Sequence, residues 1–310
     1  MENKKIEEVA ILLATYQGER FLEEQIDSLF EQTYKNWKLY IHDDGSDDKT
    51  VEILQRYKEQ YPEQIVLLDG NITGGPKTNF LYMMKQVESA YYMCCDQDDI
   101  WLPEKIEKTY NQMKSLETDV DIPCLVFTEL KIVNEDLEVI SDTMSRYQKL
   151  DCVNTNLHRM LMQNVVTGCT MMLNRKLRDM VIQYKDIKNI IMHDWWASII
   201  AAEFGKIKFI EEPTILYRQH DDNNIGALDI NNVSYFLKKL SQFKDNKEAV
   251  KNTQIQAKEM VETFNMAEDS LPAKLASCLT LSKVKRLMVY WKNDFKKNGL
   301  ARTLGLIIWG

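Results

Sequence analysis

No run of about 18 apolar residues occurs in the chain, so no segment reads as a membrane-spanning helix. Cysteine is sparse and scattered, at positions 94, 95, 124, 152, 169 and 278, and no C-x-x-C pair is formed. That removes the usual ligand spacing of a zinc site. Cys94 and Cys95 are adjacent in an apparent strand, so they should point to opposite faces as small buried groups. Such unpaired thiols fit a reducing, cytoplasmic setting. The charged start Met1-Glu2-Asn3-Lys4-Lys5-Ile6-Glu7-Glu8 lacks the apolar centre of a signal peptide. Glycine-rich phosphate loops are missing as well. No G-x-G-x-x-G follows the first apolar run, and Gly74-Gly75-Pro76-Lys77-Thr78-Asn79 lacks P-loop spacing. Nicotinamide and ATPase readings lose support accordingly. Excess positive charge is absent: the net charge of −8 argues against a general nucleic-acid binder. There is no internal repeat and no low-complexity segment.

What is present is a chain of 310 residues, 45% apolar, enough for one large domain with an appendage and a sizeable core. Its charge is unevenly spread. Residues 271–310 hold eight Lys/Arg and a single acid, hence +7, which leaves −15 for residues 1–270. Apolar runs alternate with helix-period stretches over the first 130 residues or so. Val9–Ala14, Trp37–His42, Ile65–Leu68 and Tyr91–Cys95 read as strands. The intervening segments carry Phe21, Ile26, Leu29 and Phe30, then Val51, Ile53, Leu54 and Tyr57, then Phe80, Met83, Met84 and Val87. This alternation predicts an α/β domain whose sheet is mostly parallel and covered on both faces. A helix is expected after Pro103 to about Leu116. Strands are expected at Cys124–Phe127, Leu130–Val133 and Gly168–Leu173, and a helix at His193–Phe204. Two short strands, Ile207–Ile210 and Thr214–Tyr217, should flank Pro213, and the pattern is helical only from about Asn232.

The chemistry-bearing residues cluster at the predicted carboxyl ends of the strands. Thr15-Tyr16-Gln17-Gly18 ends the first, Asp43-Asp44-Gly45-Ser46-Asp47-Asp48 the second, and Asp96-Gln97-Asp98-Asp99 the fourth. In open α/β sheets these ends line one crevice. Carboxylates crowded there repel one another unless a cation sits among them, and hard cations such as Mg²⁺ add water and substrate phosphates to a few carboxylates. Asp44 is an acceptor only, which suits the N3–H of uracil or thymine and not cytosine. Ser46–Asp48 reads as a turn and helix cap. The Gly74–Asn79 loop reads as a turn in which the glycines, helix start and Lys77 also favour an anion.

Together, Val9–Tyr16, Asp43-Asp44-Gly45-Ser46, Asn79, Asp96-Gln97-Asp98-Asp99 and His193-Asp194-Trp195 resemble a family 2 inverting glycosyltransferase of the GT-A fold, over about residues 7–225. Asp96–Trp101 followed by Pro103-Glu104-Lys105, with Tyr217-Arg218-Gln219-His220, resembles the bacterial rhamnosyltransferase-like branch. The resemblance implies a GT-A catalytic domain over about residues 1–230, with a donor half to about 130 and an acceptor half beyond it. A helical extension follows over 231–310. It implies transfer of a sugar, L-rhamnose from dTDP-L-rhamnose, to a glycan or lipid-linked acceptor in cell-wall or surface polysaccharide synthesis; the alternative donor is a UDP-hexose. Asp44 would bind the base, Asp96 would face the ribose and phosphates, and Asp98 with His220 would hold Mg²⁺ or Mn²⁺. Thr15, Tyr16, Asn79 and Arg218 would complete the donor side. Asp194 would be the general base, with Asp99, Trp101, Gly168, His193 and Trp195 on the acceptor side. The sequence lacks the Q-x-x-R-W signature of processive synthases, which favours single sugar addition. A nucleotidyltransferase is disfavoured because Thr15–Arg20 supplies no Gly-rich basic loop, and a silent scaffold because Asp44, Asp98 and Asp194 are all present.

The tail is a separate object. Val284, Leu287, Met288, Trp291 and Phe295 fall at helical spacing among Lys283, Lys285, Arg286, Lys292, Lys296 and Lys297. Leu306-Ile307-Ile308-Trp309 adds an apolar end. A basic amphipathic helix with Trp reads as a membrane-surface element, peripheral on the inner face of the plasma membrane. The alternative is a stripe packed on the catalytic domain or on a second copy in a homodimer.

Overall fold

The computed structural model describes residues 7–70, 74–220 and 243–309. Expectations that fall on 221–242, and on the side chains of Ile307 and Trp309, lie outside the described residues. The chain begins as a strand–helix alternation: Val9–Thr15 (β1), Leu22–Phe30 (α1), Trp37–Asp43 (β2), Thr50–Gln60 (α2), Ile65–Leu67 (β3), Gly75–Gln86 (α3) and Tyr91–Cys95 (β4). There follow Ile100–Trp101 (β5), Lys105–Leu116 (α4), Cys124–Val133 (β6), Val139–Ser141 (β7), and the short helices Met144–Tyr147 (α5) and Leu157–Met160 (α6). Met171–Asn174 (β8), Arg175–Val181 (α7), His193–Phe204 (α8) and Lys206–Arg218 (β9) come next. The last helices are Phe243–Phe264 (α9), Leu271–Ser277 (α10), Lys283–Lys292 (α11) and Leu300–Trp309 (α12).

One sheet runs β3-β2-β1-β4-β8-β6-β9-β5, with β7 on β6. The first four strands are all parallel. β8 enters antiparallel to both β4 and β6, β9 runs parallel to β6, and β5 runs antiparallel to β9. The chain grows from β1 outward to β2 and β3, then returns to place β4 on the other side of β1. The connections leaving β1 and β4 therefore diverge, and the crevice between them is the topological switch point where α/β sheets bind ligands.

Burial on both faces explains the unbroken apolar runs. Ala10, Leu12, Tyr92 and Cys94 belong to one core layer, and Val9, Ile11, Leu13, Tyr91, Met93 and Cys95 to the other. Cys94 and Cys95 thus point to opposite faces, as the strand period requires. The first layer continues through α3 and α8 into the tail helices, with Val250, Ala257, Met260, Leu275 and Tyr290 in the same cluster. Trp196 in α8 donates its indole N–H to the Val181 carbonyl at 3.0 Å and stacks on Phe264 of α9.

Three segments differ from the sequence expectation. The two strands expected at 124–133 are one, β6, whose residues are nearly all buried. The two expected around Pro213 are also one, β9. Pro213 faces Glu129, where the β6–β9 register already shifts, so its missing N–H interrupts no regular ladder. Gly168–Thr170 is a 3₁₀ turn, and the strand starts only at Met171.

Candidate functional site

A cleft of about 910 Å³ opens over the carboxyl ends of β1, β2 and β4. Ten of the expected site residues line it: Thr15, Tyr16, Asp44, Asn79, Asp96, Asp98, Gly168, His193, Asp194 and Trp195. Four do not: Asp99, Trp101, Arg218 and His220.

The donor side is organised by paired turns. The Asp43 carboxylate accepts from Thr15 Oγ1 at 2.8 Å, from Ser46 Oγ at 2.6 Å, and from the Gly45 and Ser46 main-chain N–H groups. This consumes Asp43 and leaves Asp44 facing the cleft. Asp44 Oδ2 accepts from the Gly75 N–H at 2.8 Å, at the start of α3, while Oδ1 is buried with no donor among the described residues. Gly75 itself sits at φ +75°, a conformation that L side chains rarely adopt. Asn79 lines the cleft, but its amide is spent on His42, through Oδ1 to Nδ1 at 2.9 Å and Nδ2 to the His42 carbonyl at 3.1 Å. Lys77, read from sequence as an anion-favouring residue, donates instead to the carbonyls of Ile187 and Ile190 and ties α3 to the loop before α8.

The floor is the acidic cluster. Burial, then the charges of Asp98 and Asp194, push the Asp96 carboxyl up to about 7. Asp98 Oδ2 lies 2.9 Å from His220 Nε2, which places these two candidate metal ligands side by side at the cleft edge. Asp96, Asp99 and Cys169 also come close, with ligand atoms within 4.8 Å of one another. Asp99 and Cys169 are sealed from solvent, and a thiol is a soft donor, so that trio does not suit Mg²⁺ or Mn²⁺. The Asp98–His220 pair beside Asp96 fits a hard or borderline cation better, because the Asp98 carboxylate borders the open cleft and the His220 imidazole lies within 2.9 Å of it.

The other three residues outside the cleft are corrections to the sequence reading. Asp99 was expected on the acceptor side but is fully buried beneath the floor, where its Oδ1 accepts from the Arg218 main-chain N–H at 3.2 Å. Burial, Asp98 and Asp96 push its carboxyl far above the ordinary range, so it is held neutral. Trp101 was placed on that side too. The short β5–β9 pairing turns its ring into the core, under the Lys105 ammonium at 4.6 Å. Arg218 was expected on the donor side. It is 2% exposed, donates to the Asp98 carbonyl at 3.0 Å and to Glu24 Oε2 at 2.6 Å, and stacks on Phe21. It braces the acidic loop from behind.

Across the cleft, α8 presents its first turn. Burial pushes the Asp194 carboxyl up to about 7, while the N–H groups of Trp195 and Gly168 act the other way. His193 is buried against Phe80, with ring centroids 4.3 Å apart, and burial holds it neutral by lowering its pKa to about 3. Trp195 anchors the turn by donating to the Met160 carbonyl at 2.6 Å. Gly168 is required by contact: an added Cβ would lie 2.8 Å from His193 Nε2 and 3.8 Å from Asp194 Cβ.

The profile described as Glycosyl transferase family 2 matches residues 10–180, more than half of the chain. The chain belongs to glycosyl transferase family 2. As a family 2 glycosyltransferase it is 30% identical over 226 residues to a dTDP-rhamnosyl transferase of Shigella flexneri, covering 69% of this chain and 74% of that one. Its fold is the GT-A fold, an α/β sheet flanked by helices. TarS 1–349 of S. aureus superposes with a TM-score of 0.55 at 15% identity, over 93% of this chain and 88% of that one. A mannosyltransferase of Pyrobaculum calidifontis, solved with GDP-Man and Mn²⁺, gives 0.53 at 13% identity, over 94% and 74%.

Sequence reasoning missed Gln97, although it sits inside the acidic motif. Its side-chain amide donates to the Tyr16 carbonyl and accepts from the Tyr16 N–H, both at 2.8 Å, pinning the end of β1 to the end of β4. Gly18 permits this, since an added Cβ would fall 2.4 Å from Gln97 Oε1. It also gave no site role to Tyr217, although it lies in a motif read from sequence, nor to Met144, Gln148 and Val165–Thr167, which reach the cleft from segments without a chemical signature.

Gly168→Ala is expected to destabilise the protein by about 1–3 kcal/mol through overpacking and to lower turnover by displacing His193, which precedes Asp194 in the first turn of α8. Chemical denaturation and steady-state transfer measured on the same preparation check both effects. Unchanged turnover would show that the contact does not set the position of Asp194.

Proposed function

We propose that this glycosyltransferase moves one sugar, L-rhamnose from dTDP-L-rhamnose, onto a hydroxyl of a glycan or lipid-linked acceptor in surface polysaccharide assembly, with inversion at the anomeric carbon. The observation that carries the reading is the opposition of two carboxylate groups across one cleft. Asp96 and Asp98 stand at the end of β4, and Asp194 stands at the start of α8. The relative described as a dTDP-rhamnosyl transferase supports the donor. The buried Oδ1 of Asp44 supports a pyrimidine with an N3–H, as in dTDP or UDP, because a carboxylate can only accept.

In this scheme the Asp194 carboxylate takes the proton of the acceptor hydroxyl. The freed oxygen attacks the anomeric carbon, and the bond to the nucleoside diphosphate breaks on the opposite side. A base must lie within hydrogen-bond reach of the hydroxyl and have a pKa near the working pH, and burial supplies the second condition for Asp194. Asp98 and His220 would hold Mg²⁺ or Mn²⁺, which as a Lewis acid stabilises charge on a departing phosphate oxygen. Arg218 and Asp99 fix the Asp98 loop and touch no substrate. Gln97 keeps the two donor-side strand ends in register.

The test of donor identity is a competition among dTDP-L-rhamnose, UDP-glucose, UDP-galactose and UDP-N-acetylglucosamine, read as nucleoside diphosphate released with Mn²⁺ present. Preference for dTDP-L-rhamnose is expected; a clear preference for any UDP-sugar refutes that part of the proposal.

The pH profile tests the base. Raising the Asp194 pKa from 3.8 to about 7 disfavours the ionised form, and the ionised form is the working one. Activity should therefore be full above neutrality and fall about tenfold per pH unit below about 7. Asp194→Asn should keep donor binding, lose at least about 10²-fold in turnover, and remove this acid limb. A variant with near-normal turnover and the same limb would assign the base elsewhere.

A further inference from the structure

The tail helices bury one face and expose a second apolar one. Tyr290 of α11 is buried and its hydroxyl accepts from Gln254 Nε2 at 2.7 Å, while Phe295, just past the helix, turns inward as well. The apolar stripe read from sequence is thus split. On the outer face Val284, Met288 and Trp291 stand exposed at i, i+4 and i+7, Trp291 to 83%. Leu304 and Ile308, at i and i+4, are exposed on α12. Lys283 Nζ donates to the Ile308 carbonyl at 2.7 Å, so the start of α11 and the end of α12 are neighbours. A helix packed only on its own domain carries polar residues outside. These two do not.

The charge around the patch is mostly positive, and the one acid beside it, Asp294, is paired with Lys296. Lys285 and Lys292 are exposed on α11, and neither forms an ion pair among the described residues. Residues 271–310 carry +7 on a chain that is otherwise at −15. A large exposed indole between lysines matches the polar–apolar boundary of a bilayer, where amphipathic rings and basic side chains both find partners.

The platform is also tied to the cleft. Arg302 of α12 donates to the carbonyls of Gln148, at 2.6 Å, and Lys149, at 3.1 Å. Asn298 accepts from the Asp151 N–H at 3.1 Å and its own N–H donates to Gln163 Oε1 at 2.9 Å. Gln148 and Leu150 line the cleft on the side of α8 and Gly168. The exposed face therefore belongs to a unit that holds the acceptor rim.

We propose that α11 and α12 form a docking surface for an anionic lipid membrane, which inserts Trp291, Met288 and Val284 among headgroups and brings the acceptor rim to the bilayer. The consequence that the acceptor is anchored in lipid rests on the transferase reading above; the docking itself does not.

The experiment is co-sedimentation of the full chain with vesicles of phosphatidylcholine alone or mixed with phosphatidylglycerol, with no donor or acceptor present. Binding is expected only to the anionic vesicles, strongest at low salt, since screening shortens the reach of the lysines. Lys285→Gln with Lys292→Gln should weaken it roughly tenfold or more. Trp291→Ala should weaken it as well. These side chains are exposed, so circular dichroism should be unchanged in the variants. Absence of binding at low salt overturns the proposal, as does binding that neither variant alters. A concentration-dependent dimer that Trp291→Ala dissociates, with vesicles ignored, overturns it in favour of a second copy covering the face. Because no sugar transfer is read, the result stands apart from the fate of the donor assignment.

Discussion

The structure is built around negative charge that the sheet forces together. Asp96, Asp98 and Asp99 follow directly from a buried strand, and Asp194 faces them from the start of α8. Burial alone raises such carboxyls, and proximity raises them further. The surroundings answer in different ways. Arg218 supports the loop from behind, His220 meets Asp98 at the edge, and Asp99 is held neutral. Beneath them Lys105 is fully buried, with burial lowering its ammonium to about 8 and Cys169, Cys95 and Asp99 opposing that shift. The result is a cleft that sets the carboxyls at the end of β4 against the Asp194 carboxyl, which burial pushes up to about 7.

Most of the fold was legible because its physics is local. Continuous apolar runs mark β1 to β4 to within a residue and α8 is found to the residue, while the period-3.6 markers locate α1 to α3 without their ends, since α3 already starts at Gly75 in the segment read as a turn. The second half was harder. β8 enters antiparallel, and β6 and β9 run longer than their apolar runs, because a ladder can carry Glu129 or Pro213 across a register shift that no local pattern announces. Helix-period reading found α11 but assigned Phe295 to its stripe. The helix ends at Lys292, so Phe295 follows a different path and packs on Tyr290.

The candidate site divides in the same manner. Asp44, Asp96, Asp98 and Asp194 sit at strand or helix ends, and element ends are what sequence patterns reveal. Asp99, Trp101 and Arg218 share motifs with residues that do face the cleft. Tyr217 and Arg218 are neighbours on a strand and point to opposite sides, and Asp99 and Trp101 are buried beneath the floor, so proximity in sequence carried all three to the wrong side. Gln97 shows the converse. Its role depends on Tyr16, 81 residues away in sequence, and only the pairing of β1 with β4 brings them together.

A direct test of the central claim, that this crowding is arranged around a metal-bound pyrimidine diphosphate, is a crystal structure with dTDP and Mn²⁺, the ion located by its anomalous scattering. The account predicts Mn²⁺ in contact with Asp98 and His220 and the pyrimidine N3–H on Asp44 Oδ1. Mn²⁺ lodged among Asp96, Asp99 and Cys169, or a base bound away from Asp44, would contradict it.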